Sequence, residues 1–218
     1  MSDDLLKKRK LIDSTRLTAK QTILYLGIYF IFGNLLGVIA KYSDTIPSNS
    51  GNGIVYSFIS EITTNLGLWV LLATLITFWS RSPTYAALNV LTFFIGMLTS
   101  YYIYSHVLFG FFPTHYFVRW GSIALASPIC AYIVWFSRGE GWGSSLCAAL
   151  PIGFLLTQGM SFFYIPSVVL GFDLFSGILL LIILTKSTKQ YLKVIPMTIL
   201  IVLIIRNTDV IYYLFGGL

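Results

Sequence analysis

Seven apolar runs, separated by short polar or glycine-rich breaks, organise the chain. They cover residues 22–41, 54–80, 84–106, 120–137, 144–163, 166–185 and 194–214, and are numbered segments 1 to 7 in that order. Crossing a hydrocarbon core of ~30 Å takes ~20 residues of helix, so each run is read as a membrane-spanning helix. The predicted fold is an all-α polytopic transmembrane bundle of about seven helices, or six if segment 5 is re-entrant. Segment 2 is the longest run and corresponds to roughly 40 Å of helix. It is expected to tilt, or to begin with its first turns at the interface. On one continuous helix Glu61, Asn65 and Trp69 follow at four-residue steps and share a face.

The breaks have turn chemistry. Residues 42–53 (YSDTIPSNSGNG) are polar and rich in Ser, Gly and Asn, and Arg81-Ser82-Pro83 is a tight turn. Residues 107–119 are an aromatic loop, and aromatic clusters suit the membrane–water interface. RGEGWG at 138–143 is a glycine turn, and KSTKQYLK at 186–193 is a basic loop. Pro128 bends segment 4 and Pro151 lies inside segment 5. In segment 1, Gly33 and Gly37 have the GxxxG spacing that lets a second helix approach closely in lipid.

Composition narrows the class. Only 10% of the 218 residues are charged and 56% are hydrophobic, whereas an ordinary soluble domain carries about 25% charge. A soluble chain this short could not bury so much apolar surface, so the surplus faces lipid. The formal charge of +6 raises the question of nucleic acid, but the basic residues sit between the apolar runs and at the N-terminus. Nucleic-acid binding is therefore set aside. Residues 1–21 read as a basic cytoplasmic tail with six of the fourteen Lys and Arg residues, and residues 22–218 as the transmembrane domain. Segment 1 is longer than the ~7–15-residue apolar core of a signal peptide, and reads as an uncleaved first helix.

Charge also sets the predicted orientation. With the N-terminus inside, eleven basic residues fall on the cytoplasmic side: six in the tail, then Arg81, Arg138, Lys186, Lys189 and Lys193. Only Lys41 and Arg119 fall outside. Basic residues concentrate in cytoplasmic loops, so the N-terminus is placed in, the C-terminus out, and the protein in the cell membrane as a multi-pass chain.

Ionisable residues within apolar runs are costly and mark functional-site hypotheses. Glu61, Asp173 and Arg206 each lie roughly 10 Å below the outer end of their segments at 1.5 Å per residue. Asp209 is one turn shallower than Arg206, and Asn65 and Gln158 also fall in outer halves. The candidate ligand-binding set is therefore Glu61, Asn65, Gln158, Asp173, Arg206 and Asp209. Glu61, Asp173 and Asp209 outnumber Arg206, so the layer favours a cationic or neutral polar solute. A second reading makes it structural: Asp173 and Arg206 pair across consecutive helices, Arg206 and Asp209 pair within one, and Glu61 lies at the head groups.

Other chemistries find no support. His106 and His115 are the only histidines, beside an aromatic loop, which is too few for a convergent metal site. Ser144 and Ser145 lie at the end opposite both histidines, so no hydrolase triad forms. RGEGWG lacks the lysine and the strand–helix context of a phosphate loop. The chain is read as non-enzymatic, without cofactor. Uphill transport would then need an ion gradient or a separate energising subunit. Cys130 and Cys147 lie in apolar runs at different depths and are expected to be buried free thiols.

Residues 65–102, with Asn-x-Gly-x-Trp at 65–69 and the Tyr101-Tyr102 end of segment 3, resemble a family of small bacterial membrane proteins of unknown function. The small-residue, proline-bearing stretch 120–159 carries the same resemblance. It implies a polytopic fold and no particular activity. The size and the outward polar layer are also similar, at fold level, to the substrate-binding membrane subunits of energy-coupling-factor transporters. The expected function is a small-solute or ion transporter, or a solute-capturing membrane subunit. The alternative is a non-transporting accessory or regulatory membrane protein whose buried charges only hold helices together.

Overall fold

The computed structural model describes residues 18–46, 53–110, 113–139 and 141–208. The described residues form eight α-helices and two short 3-10 turns. The helices are α1 (Ala19–Thr45), α2 (Gly53–Thr64), α3 (Leu66–Trp79), α4 (Pro83–Phe109), α5 (Thr114–Trp135), α6 (Trp142–Gly159), α7 (Val168–Leu184) and α8 (Thr188–Thr208). Five of them are long and apolar enough to cross a membrane, and α2 with α3 make a sixth if the bent pair counts as one span. The helix α7, with 17 residues, is a shorter apolar helix. The chain is thus a multi-pass α-helical membrane protein.

Segment 2 differs from its prediction as one helix. It breaks at Asn65, and α2 and α3 meet at 69°. The bend shortens the reach of this longest run. The re-entrant alternative for segment 5 is not seen: residues Trp142–Phe163 are long and apolar enough for a span, and the break falls in segment 2 instead.

Several helices also run past their apolar segments. Thr18 caps α1 reciprocally with Gln21, so residues 18–21, read from the sequence as the end of the tail, start α1. Residues 107–109 and 114–119 of the expected aromatic loop belong to α4 and α5. Most of the basic loop at 186–193 forms the first turns of α8, started by Ser187 Oγ accepting from Gln190 N at 3.3 Å. Hydropathy measures the lipid-facing length of a helix, and polar turns that extend into water or head groups escape it.

The helices gather in two groups. In one, α4 packs against α1 and α5; in the other, α6 packs against α7 and α8. The broken pair lies between them. Trp69 and Ile76 of α3 enter the core of the first group with Val90, Phe93 and Phe94. Leu71 enters the core of the second with Ile152, Leu155 and Leu180.

The closest crossing is α1 on α4. A Cβ at Gly33 would strike the carbonyl of Phe93, one at Gly37 would strike Met97 O and Ser100 Oγ, and one at Gly96 would strike Phe30 O. The GxxxG expectation holds, and Gly96 supplies the facing half of the contact.

One end of the bundle is tied together. Trp135 Nε1 donates to Ser80 O at 2.9 Å, Asn89 Nδ2 to Ser80 Oγ at 3.1 Å, and Gln190 Nε2 to Ser137 O at 3.1 Å. Arg138 lies over the rings of Phe78 and Trp135, and Lys186 also lies over Phe78. The turns carrying Arg81, Arg138 and Lys186 therefore share one end, as the distribution of basic residues requires.

Candidate functional site

The break in segment 2 follows from its residues. Thr63 and Thr64 turn their hydroxyls back onto the carbonyls of Ile59 and Ser60, a competition that bends helices. Asn65 leaves the helical region at φ −94° and ψ 153° and starts α3. Its Nδ2 donates backward to Glu61 O at 2.9 Å, which satisfies one open carbonyl at the end of α2. Trp69 Nε1 reaches back across the bend to Thr63 O at 2.8 Å and satisfies another.

This arrangement has a consequence for α3. Asn65 occupies its N-cap position, yet the side chain makes no capping bond to α3, because it is spent on α2. The first N–H groups of α3 thus lack a side-chain cap, and the helix dipole places partial positive charge there. Asp173 of α7 lies against this point. A Cβ at Gly67 would strike its Oδ1 and Cγ, so the absence of a side chain at 67 lets the carboxylate rest on the first turn of α3.

Asp173 is 3% exposed, and its Oδ1 has no hydrogen-bond partner. No ion pair among the described residues reaches it. It lines a cavity of about 230 Å³ with Thr64, Asn65, Gly67, Trp120 and Gln158 among the other walls. The walls hold one acid and no basic residue. From the basic end, Asn65, Asp173 and Gln158 stand roughly 16–24 Å along α3, α7 and α6 at 1.5 Å per residue. Against a ~30 Å hydrocarbon core, the cavity lies towards the far side of the membrane from the basic turns.

Three of the six sequence candidates therefore meet: Asn65, Gln158 and Asp173. Glu61 does not join them. It is exposed on α2, because the break turns its face away from the line that Asn65 and Trp69 follow. Arg206 is exposed near the end of α8, and the expected Asp173–Arg206 pair does not form. Although consecutive, α7 and α8 both pack on α6 rather than on each other. Asp209 lies outside the described residues. Gly67, Thr64 and Trp120 line the cavity but were not among the sequence candidates, although Gly67 falls in the Asn-x-Gly-x-Trp motif. The Thr-Thr-Asn-x-Gly string at 63–67 held the signal, being a cluster of back-bonding, capping and small residues inside an apolar run.

The thiols are free, but Cys130 is exposed on the helix surface rather than buried, and Cys147 is half-buried. Comparison of the chain with protein-family models, curated proteins and solved structures returns no match.

Proposed function

We propose that the chain is a transporter, or the solute-capturing membrane subunit of one, and that it binds a small cationic or neutral polar solute at the break between α2 and α3. The observation that carries this reading is Asp173: a buried carboxylate with an unpartnered oxygen, on a residue that lines a cavity with no basic side chain in its walls. Uncompensated ionisable groups at membrane depth are expensive, and a cation supplied by the solute removes the expense. Broken helices that expose backbone ends to a midmembrane cavity are the usual construction of ion and solute sites in transporters. The tied basic end and the cavity towards the opposite end fit a state closed to the cytoplasm, with the N-terminus inside. Energy would come from an ion gradient or from a separate energising subunit.

Asp173 carries the charge, Gln158 and Asn65 offer amide oxygens, and Trp120 offers a ring face to a cation. The rival reading, a structural membrane protein, is favoured by the contact of Asp173 with the first turn of α3, where a carboxylate stabilises the helix end. Calorimetry with butylammonium on the purified protein separates them. Binding that disappears in Asp173→Asn supports the solute site. No binding by wild type, with Asp173→Asn merely less stable, supports the structural role.

A further inference from the structure

A second, larger hollow adjoins the polar cavity. It is a groove of about 450 Å³ between α3, α5, α6 and α8, walled almost wholly by apolar side chains. Leu66 and Phe154 line both spaces, so the two are neighbours across a shared wall of two side chains. The groove exists because α5 packs chiefly on α4 while α6 packs on α7 and α8. The small residues Ala73, Ala126 and Ala131 line it between them. Cys130, Ile133 and Leu150 on its rim are exposed, which opens it sideways to the bilayer.

Resting on the solute-site reading above, we propose that the ligand is a membrane-borne amphiphile with an amine head and an alkyl chain. The head sits beside Asp173 in the cavity of α2, α3, α6 and α7, and the chain passes Leu66 and Phe154 into the apolar groove. Each space alone is half a site. The cavity has the unpartnered carboxylate but little apolar wall for a chain; the groove has the apolar wall but no charged side chain. Such a ligand reaches the site along the membrane plane, and the tied basic end does not bar its way.

Cys130 reports on the groove. In full-length protein carrying Cys147→Ser, alkylation of Cys130 by N-ethylmaleimide is timed with dodecylamine, dodecanol or butylamine present. Dodecylamine at about ten times its dissociation constant slows the reaction about ten-fold, whereas dodecanol, which shares the chain but not the charge, and butylamine, which lacks the chain, leave it within about two-fold. Asp173→Asn removes the protection by dodecylamine. Ala126→Phe, which narrows the groove at an exposed position, weakens dodecylamine binding about ten-fold in calorimetry and spares butylamine. If butylamine binds through Asp173 but dodecylamine neither protects Cys130 nor responds to Ala126→Phe, the amphiphile proposal is overturned and the small-solute reading stands. If protection survives Asp173→Asn, the amphiphile proposal is likewise overturned, and if no amine binds, both readings are overturned.

Discussion

Gly33→Ala is expected to destabilise the protein far more than its single methyl group implies. The new Cβ would land on the Phe93 carbonyl of α4, which is backbone and cannot swing aside. The two helices must separate by a good fraction of an ångström. A radial gap of ~0.5–1 Å forfeits a quarter to a half of the dispersion energy of each contact. This crossing is the most extensive helix pairing in the bundle, and in lipid such packing rather than water exclusion drives association. Overpacking of this kind costs about 1–3 kcal/mol. Gly27→Ala, on the same helix, meets nothing within 4 Å and should be neutral or slightly stabilising, since Ala is the better helix former by ~1 kcal/mol. Gly96→Ala strikes Phe30 O from the other side, so the double variant Gly33→Ala/Gly96→Ala should lose less than the sum of the two. The assay is reversible unfolding in mixed micelles, titrated with dodecyl sulfate and followed by far-ultraviolet circular dichroism. Equal losses for Gly33→Ala and Gly27→Ala, or strict additivity of Gly33→Ala and Gly96→Ala, would refute the close crossing.

Trp69→Phe keeps an aromatic side chain but removes the indole N–H that makes the 2.8 Å bond across the break, along with part of the buried volume; the lost bond and the space left should cost at least about 1–3 kcal/mol in the same assay, and no loss would mean another donor takes its place. Trp135→Phe removes the bond to Ser80 O at the tied end and should cost about 1 kcal/mol while leaving amine binding unchanged; altered binding would show that this end communicates with the cavity. For orientation, a cysteine at Lys189 should be labelled by an impermeant thiol reagent only from the cytoplasmic side, and one at Tyr164 only from outside; the reverse pattern would invert the topology.

The apolar helices were legible in the sequence because lipid imposes a length and a polarity on each, and hydropathy measures both, although among the described residues five, or six with the bent pair, rather than seven are long and apolar enough to span. Gly33 and Gly37 were legible because close approach in lipid requires small residues at that spacing. The break at Asn65 was not, although segment 2 was visibly too long. Tilt and bend explain excess length equally well, and hydropathy does not separate them. Only the local chemistry of Thr63, Thr64 and Asn65 decides, through hydroxyl and amide bonds to preceding carbonyls. Depth placed Asn65, Gln158 and Asp173 correctly in one layer, but depth carries no azimuth. Arg206, read into the same layer from the sequence, is exposed near the end of α8 and does not join them, because α7 and α8 both pack on α6.

The proposed site beside Asp173 is a water-accessible space that prefers cations. The most direct test places a cysteine at Gln158 in protein carrying Cys130→Ser and Cys147→Ser, and times its reaction with two methanethiosulfonates of similar size. One carries a trimethylammonium group and the other a sulfonate. At an effective dielectric constant of about 20 and a separation of ~12 Å, one unit charge contributes about 1.4 kcal/mol, a factor of about ten in local concentration. The cationic reagent should therefore react at least about ten-fold faster than the anionic one, from the side opposite the basic turns, and Asp173→Asn should remove the difference. Failure of both reagents to react, or equal rates for both in the presence of Asp173, would contradict the account.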